Sequence, residues 1–340
     1  MKSNLCAMAM VRRAALLTAL AWGGAAAAAE AAEADKFSLA DTAGQHLDVL
    51  LGGKVVARYM DAYDVSTSQR KLETYKPYLH IFDAAGKAPI TKGPGGTFTH
   101  HRGIFIGWNK ISCNGKSYDR WHMKGGEQIH RQFLAQEADA EHAAFTSKVD
   151  WLGEPGQVLL AEERTMAFRP AAAPARLIVD FTTKLKAVAG DLVLDGDPEH
   201  AGCQYRPAAE VDGKQTVYVF PKEQADPKKD LDYPWAGETY TLAGQQHSAV
   251  IMSHPDNPKG TRWSAYRDYG RFGAFTKAPV KAGETLTLRY RFVIADGAMP
   301  PADAIQKIYN AFSGGTAATP PVTIRKADMA AAPKPKTMKK

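Results

Sequence analysis

Cysteine is scarce in this chain, with three in 340 residues. Cys6 stands ahead of the first apolar stretch, which leaves Cys113 and Cys203. Two cysteines make no zinc site by themselves. In an oxidising compartment they permit one disulfide, and the alternative is a pair of buried free thiols. Long hydrophobic runs are also missing. Beyond the N-terminus no apolar stretch reaches the ~20 residues that a spanning helix needs, so the chain does not cross a bilayer repeatedly. There is no Gly-x-Ser-x-Gly elbow, phosphate-binding loop or dinucleotide fingerprint, which sets aside hydrolases with a serine elbow, nucleotide enzymes and Rossmann dehydrogenases. The net charge is +7, but much of it sits at the ends. Lys2, Arg12 and Arg13 precede the body, and Arg325, Lys326, Lys334, Lys336, Lys339 and Lys340 follow it. No basic stripe interleaved with aromatics marks the middle, so nucleic acid is not an expected partner.

Three segments are expected along the chain. Residues 1–30 read as a secretory signal: Arg12-Arg13, an apolar core from Ala14 to Trp22, then small residues from Ala25 to Ala29. Met10 is an alternative start. The protein is therefore expected to be exported, to the periplasm or beyond. Residues 31–313 read as one domain. Lys54–Met60, Tyr78–Phe82, Ala143–Trp151, Val158–Phe168 and Arg176–Leu185 carry strand signals between Gly/Pro turns. Leu286, Leu288, Tyr290, Phe292 and Ile294 alternate with polar residues, the pattern of a half-buried antiparallel strand. One helix is expected, opened by Pro300-Pro301 and carrying Ala302, Ile305, Ile308, Tyr309 and Phe312 at helical spacing. From Gly314 to Lys340 the chain is rich in Ala, Pro, Thr and Lys and reads as a disordered basic tail. Many strands and one terminal helix point to an all-β fold, a large antiparallel β-sandwich.

The candidate chemistry begins at Thr99-His100-His101-Arg102-Gly103, which runs into the apolar strand from Ile104 to Trp108. Histidine changes charge near neutral pH, so a His-His-Arg cluster points to proton transfer, metal ligation or anion binding. If the strand extended through them, His100 and His101 would point to opposite faces. The segment from Tyr118 to His130 reads as a loop, with Asp119, His122, Glu127 and His130 as candidate acids, bases or ligands. Trp121 is a candidate platform for a sugar ring, or else a plug at the end of the sandwich. In His200-Ala201-Gly202-Cys203-Gln204-Tyr205-Arg206, period two puts His200, Gln204 and Arg206 on one face, with Gly202 leaving room for a ligand. Arg forks suit carboxylate recognition. His254-Pro255-Asp256-Asn257-Pro258 is a rigid turn, followed by Trp263, Arg267 and Tyr269. An arginine and a tyrosine there could stabilise a developing oxyanion. His100, His101, His122, His130 and His200 with Asp119 are numerous enough for a transition metal, yet no His-Glu-x-x-His spacing occurs. The expectation is no cofactor, with a transition metal as the minor alternative.

These three motifs, in this order over about residues 45–312, resemble the secreted bacterial family labelled "methane oxygenase PmoA". That family is distinct from the multi-span membrane subunit of the same name. The resemblance implies a β-supersandwich like that of galactose mutarotases and an action on sugars. Together the readings give an exported carbohydrate-active enzyme, a lyase, epimerase or hydrolase acting on a small sugar or an oligosaccharide. His100, His101, His200 and Arg102 would carry the chemistry. Asp119, Trp121, His122, Gln204, Arg206, Arg267 and Tyr269 would bind substrate. Hydrolysis ordinarily wants two carboxylates across the bond, and these motifs are richer in His and Arg, which favours lyase or epimerase chemistry. The alternatives are a sugar-binding module with Trp108 and Trp121 as platforms, and a metal-dependent oxidoreductase.

Overall fold

The computed structural model describes residues 36–329. The expected signal segment at 1–30 and residues 330–340 of the tail lie outside the described residues. The chain opens with β1 (Phe37–Thr42), β2 (His46–Leu51), β3 (Lys54–Met60), the short helix α1 (Ser68–Thr74) and β4 (Tyr78–Ile81). A long loop leads to β5 (Ile104–Trp108), β6 (Lys110–Cys113) and β7 (Lys116–Tyr118). Then come β8 (Gln128–Ala138), β9 (Ala143–Leu152), β10 (Val158–Pro170), β11 (Ala175–Ala187), β12 (Leu192–Asp195) and β13 (Ala201–Tyr205). The rest comprises β14 (Val217–Phe220), β15 (Trp235–Leu242), β16 (Gln245–Ser253), β17 (Arg262–Trp263), β18 (Phe272–Phe275) and β19 (Ala278–Val280). β20 (Thr285–Asp296), α2 (Ala302–Ser313) and β21 (Thr323–Lys326) close it.

Two large sheets face each other. One is ordered β1-β2-β3-β4-β5-β13-β18-β17, the other β21-β14-β15-β16-β20-β11-β10-β9-β8, and a small third sheet runs β19-β12-β6-β7. The expected large antiparallel β-sandwich with a C-terminal helix is what forms. Its core lies between the two large sheets. Leu47, Val49, Tyr59, Ile104, Ile106, Cys203 and Tyr205 meet Phe145, Met166, Phe168, Val179, Phe181 and Phe292, all buried. β11 alternates buried and half-exposed residues over most of its length, as period-two strands do. β20 departs from that expectation at its C-terminal half. Val293 and Ala295 are buried along with Phe292 and Ile294, because α2 covers the outer face. Ile305 packs there with Trp235, Val250, Met252 and Val293, and the Trp235 indole donates to Gln306 Oε1 at 3.2 Å. The helix ends at Gly314, whose φ of 70° is the left-handed C-cap conformation that glycine adopts freely.

The stretch expected to be a disordered tail is corrected over residues 314–329. β21 pairs with β14 from Val217↔Lys326 to Phe220↔Thr323. Asp328 then forms a bridge with Arg267 and an ion pair with Lys228 at 2.6 Å. Polar composition suggested disorder, but an unpaired edge of β14 was available to satisfy the backbone groups. Cys113 and Cys203 are buried free thiols.

One ion pair is buried in the sandwich itself. Glu162 and Arg164 have fully buried side chains. Arg164 donates to both Glu162 oxygens at 2.8 Å, and Thr183 and Trp151 donate to them at 2.8 and 2.7 Å. Removing one partner strands the other charge, which costs about 3–5 kcal/mol. Glu162→Ala is therefore expected to lower the urea midpoint by that amount of stability. The double change Glu162→Leu with Arg164→Met is expected to recover most of it. Equal losses in the single and double variants would show that the pair is not what the region depends on.

Candidate functional site

The first, second and third motifs feed β5, β13 and β18, and those strands are neighbours in one sheet. Tyr205 pairs with both Ile104 and Phe272, so the start of β5, the end of β13 and the start of β18 coincide. This brings His100–Arg102, Arg206 and the loop Tyr266–Arg271 together. The residues that point inward from β5 and β13 join the core. Phe105 and Gln204 point the other way, so the site lies over the outer face of the sheet. The loop after β7 crosses that face. Arg120 N–H donates to Trp108 O at 2.8 Å, and Phe105 and Trp121 pack together with Tyr78.

Four of the expected histidines gather there. The His100 ring lies 4.3 Å from His101 and 4.3 Å from His122, between ring centres, and His122 lies 5.2 Å from His200. His100 and His101 do not point to opposite faces, because β5 begins only at Ile104 and the turn before it turns both rings inward. That turn is closed by His101 N–H donating to Phe98 O at 2.9 Å. It holds Phe98 at φ 59°, a left-handed conformation that is costly for a bulky residue and typical of functional turns. The exposed Phe98 ring sits 5.4 Å from Tyr269, and Tyr269 stacks on His101 at 6.0 Å.

The histidines fall into two pairs. His122 and His200 are half-buried and oriented by carboxylates. Each Nδ1 lies 2.8 Å from a carboxylate, Asp119 Oδ2 for His122 and Asp197 Oδ1 for His200. That contact fixes the orientation of each ring. Burial pushes the Asp119 and Asp197 carboxyls up, but the bonds from His122 and His200 outweigh it, and both titrate below their ordinary value. His100 and His101 have no such partner. Nε2 of His100 and both ring nitrogens of His101 are buried without a hydrogen bond. Burial lowers the His100 pKa to about 2, helped by Lys76, His122, His200 and Arg271. Burial also drives His101 far down, with Arg271, His100, Arg206 and Lys76 adding to it. Both are neutral imidazoles.

The arginines sort differently from expectation. Arg102, expected to be catalytic, is fully buried. It donates to Thr99 O at 2.9 Å, Glu73 O at 2.6 Å and Leu72 O at 2.7 Å, so it braces the turn from behind. Arg267 forms an ion pair with Glu199 at 2.5 Å. Arg206 is buried over the Tyr269 ring, at 5.0 Å, and donates to Pro207 O and Tyr269 O, with Nε unpartnered. Arg271, which sequence reasoning missed, is fully buried. It donates to Gln204 Oε1 at 3.1 Å and Ser264 Oγ at 2.8 Å, and its Nε and Nη2 have no hydrogen bond. Gln204 is thus a buried holder of Arg271 and does not face substrate.

Other expectations need correction. Trp121 and Trp108 are both fully buried and cannot serve as platforms, and the exposed aromatic at the mouth is Phe98. Gly202 (φ 83°) leaves no room for a ligand, since a Cβ there would run into the Ala274 carbonyl. Glu127 pairs with Lys71 at 2.6 Å, and His130 bonds to Ser147 on another part of the molecule. His254 packs on Phe312, away from the cluster. Missed as well were Lys76, whose buried amine donates to Trp121 O at 3.0 Å, and Glu238, a fully buried carboxyl driven up by burial. Glu238 contacts the site at Gly270 (φ 77°), where any Cβ would strike its Oε1. A lone Lys in the bend after α1, or a lone Glu within an ordinary strand pattern, gives no signal that it would converge on this face. Among the described residues no group of three or more His, Cys, Asp or Glu is arranged to hold a metal ion. A groove of about 520 Å³, lined by Arg58, Arg70, Lys76 and His80, contains none of the four clustered histidines and shares Lys76 with their surroundings.

A family model covers residues 46–310, which includes every one of these motifs. The chain belongs to the family of unknown function DUF6807. Membership brings no activity with it, and nothing supports the oxygenase label. No curated protein matches the chain. Among solved structures it is similar to a heparan sulfate lyase mutant from Pedobacter heparinus (11% identity, 79% of this chain and 36% of that one, TM-score 0.37). It is similar to an α-galactosidase from Lactobacillus brevis (10%, 81% and 40%, TM-score 0.38). It is similar to a galactose mutarotase related enzyme from Lactobacillus acidophilus (7%, 77% and 100%, TM-score 0.32). The chain thus spans well under half of the first two. The fold class of this DUF6807 member rests on its own sheets.

Arg102 provides a test. Arg102→Ala would leave the carbonyls of Leu72, Glu73 and Thr99 without their donor, at about 1–3 kcal/mol for each group stranded. A Tm loss of roughly 5 °C or more is expected by thermal unfolding. An unchanged Tm would contradict its role as a brace.

Proposed function

We propose that this protein is an exported carbohydrate-active enzyme of the lyase or epimerase kind. It would move a proton on a sugar carbon next to a carbonyl or carboxylate. The observation that carries this reading is the juxtaposition of His101, a neutral imidazole with both nitrogens unpartnered, and Arg271, a buried cation whose Nε has no hydrogen bond and whose Nη2 has only the Glu199 carboxylate at 3.8 Å. A base must be neutral to accept a proton and basic enough to hold it. The reading therefore requires that an anionic substrate carboxylate bound beside His101 offset the surrounding cations and raise its basicity. A developing oxyanion needs preorganised donors in a dry site. In the first step the C–H bond breaks, the proton goes to the His101 imidazole, and the electron pair passes into an enolate. Arg271 and Arg206 take the enolate oxygen. A lyase then expels an oxygen from the neighbouring carbon, which leaves with the proton from the imidazolium. An epimerase returns a proton to the opposite face of the carbon from a second acid, a role this reading gives to His200, and the His101 imidazolium then loses its proton to solvent.

The sugar assignment draws on the sequence resemblance and on the mouth of the site. Phe98 and Tyr269 offer a flat apolar face for sugar C–H groups. His122, His200 and Asp197 offer hydrogen bonds to hydroxyls. Export draws on the leader at residues 1–30.

The test is a screen of uronic acids, keto-sugars and their oligomers in D2O, following deuterium entry at carbon and the appearance of unsaturated product. On the active substrate His101→Asn and Arg271→Lys are each expected to lower kcat/KM by about 100-fold or more. The pH profile follows from the sign of the shift. The competent form of His101 is neutral, and burial lowers its pKa, so kcat/KM stays level as pH falls through 6.5. A fall centred near 6.5, or full activity in both variants, would contradict the assignment.

A further inference from the structure

A second cleft, of about 450 Å³, shares no residue with the histidine face. It opens where the β1–β2 turn and the end of β3 meet the start of β8, and Asp41, Asp61, Tyr63, His130, Arg131 and Phe133 line it. Asp61 is its most buried charged group, 6% exposed. Its Oδ1 is buried without a hydrogen bond, and its Oδ2 lies 3.9 Å from His130 Nε2. A carboxylate this deep normally has a cation beside it. Here neither available cation serves. Arg131 is committed to Asp150 at 2.8 Å. His130 is kept neutral: burial and Arg164 lower its pKa to about 4, and its Nδ1 lies 2.6 Å from Ser147 Oγ, which in turn meets Tyr59 OH at 3.0 Å. Asp41 adds a second negative charge, and with burial it raises the Asp61 pKa to about 6. In a chain with net charge +7 this cleft is locally negative. Phe133 lies 4.5 Å from the His130 ring, and the Tyr63 ring is exposed at the rim.

We infer that this cleft is a binding site for an organic ammonium group on a hydroxylated ligand, such as an amino sugar, with Asp61 as its counter-ion. Asp61 and Asp41 face the ammonium group, Tyr63 and Phe133 offer ring faces to a cation, and the imidazole Nε2 of His130 meets a hydroxyl. The site is independent of the sugar chemistry proposed for the histidine face.

The experiment is calorimetric titration of the full chain at pH 7.5 with D-glucosamine, and with D-glucose as the isosteric neutral control. Glucosamine is expected to bind at least 10-fold more tightly than glucose. Asp61→Asn is expected to weaken glucosamine at least 10-fold while leaving glucose unchanged, and Asp41→Asn to weaken it less. Asp61→Asn removes an uncompensated buried charge, so its Tm is expected to hold or rise, which separates lost binding from lost folding. His101→Asn is expected to bind glucosamine as wild type does, even if the histidine face proves inactive. Equal affinity for the two sugars, no binding of glucosamine, or unchanged binding in Asp61→Asn would overturn the inference.

Discussion

The site depends on where three buried guanidiniums place their hydrogen bonds. Arg120 donates to the carbonyls of Leu152, Asp119 and Lys124, and so fixes the loop that crosses the outer face. Arg102 donates to Leu72, Glu73 and Thr99, and so fixes the turn that carries His100 and His101. Arg271 is equally buried, yet Gln204 and Ser264 take only one of its nitrogens. A buried polar group without a partner costs stability. Two of these arginines avoid that cost and make the scaffold rigid. The third bears part of it, with its Nε lacking a partner and its Nη2 only 3.8 Å from the Glu199 carboxylate.

The same contrast runs through the histidines. His122 and His200 are held by Asp119 and Asp197, so their rings have a defined direction. His100 and His101 are held by packing against Phe98, Trp121 and Tyr269. Their neutrality follows from burial, with Arg271 beside both rings and Arg206 beside His101 opposing a further positive charge. Trp121 contributes by filling space. It seals the site from beneath, where polar water would otherwise raise the dielectric and weaken each of these effects.

Much of this was legible in the chain. Period-two alternation located the long strands, and helical spacing after Pro300-Pro301 located α2. The clustered histidines lie in segments that β5, β13 and β18 bring together by being neighbours in one sheet. What the residue pattern could not supply is which atoms find partners. Arg102 looked catalytic because it follows two histidines, but two of the three carbonyls it serves, those of Leu72 and Glu73, lie in α1, some thirty residues away. Arg271 gave no signal because its role comes from what does not bond to it. Period two placed Gln204 and Arg206 together correctly, yet it misread Gly202, whose missing side chain admits the Ala274 carbonyl and not a ligand. The strand at Thr323–Lys326 was hidden in a polar tail because pairing to an open edge depends on the backbone and scarcely on side-chain type.

The central claim is that His100 and His101 are neutral imidazoles held among cations without a carboxylate partner. Its most direct measurement is an NMR titration of the histidine rings in protein labelled with nitrogen-15 at histidine, assigned by single substitutions and followed from pH 8 to pH 5. The account predicts that the His100 and His101 rings keep the nitrogen shifts of a neutral imidazole across the whole range. Titration of either ring with a midpoint between pH 6 and 7 would contradict it.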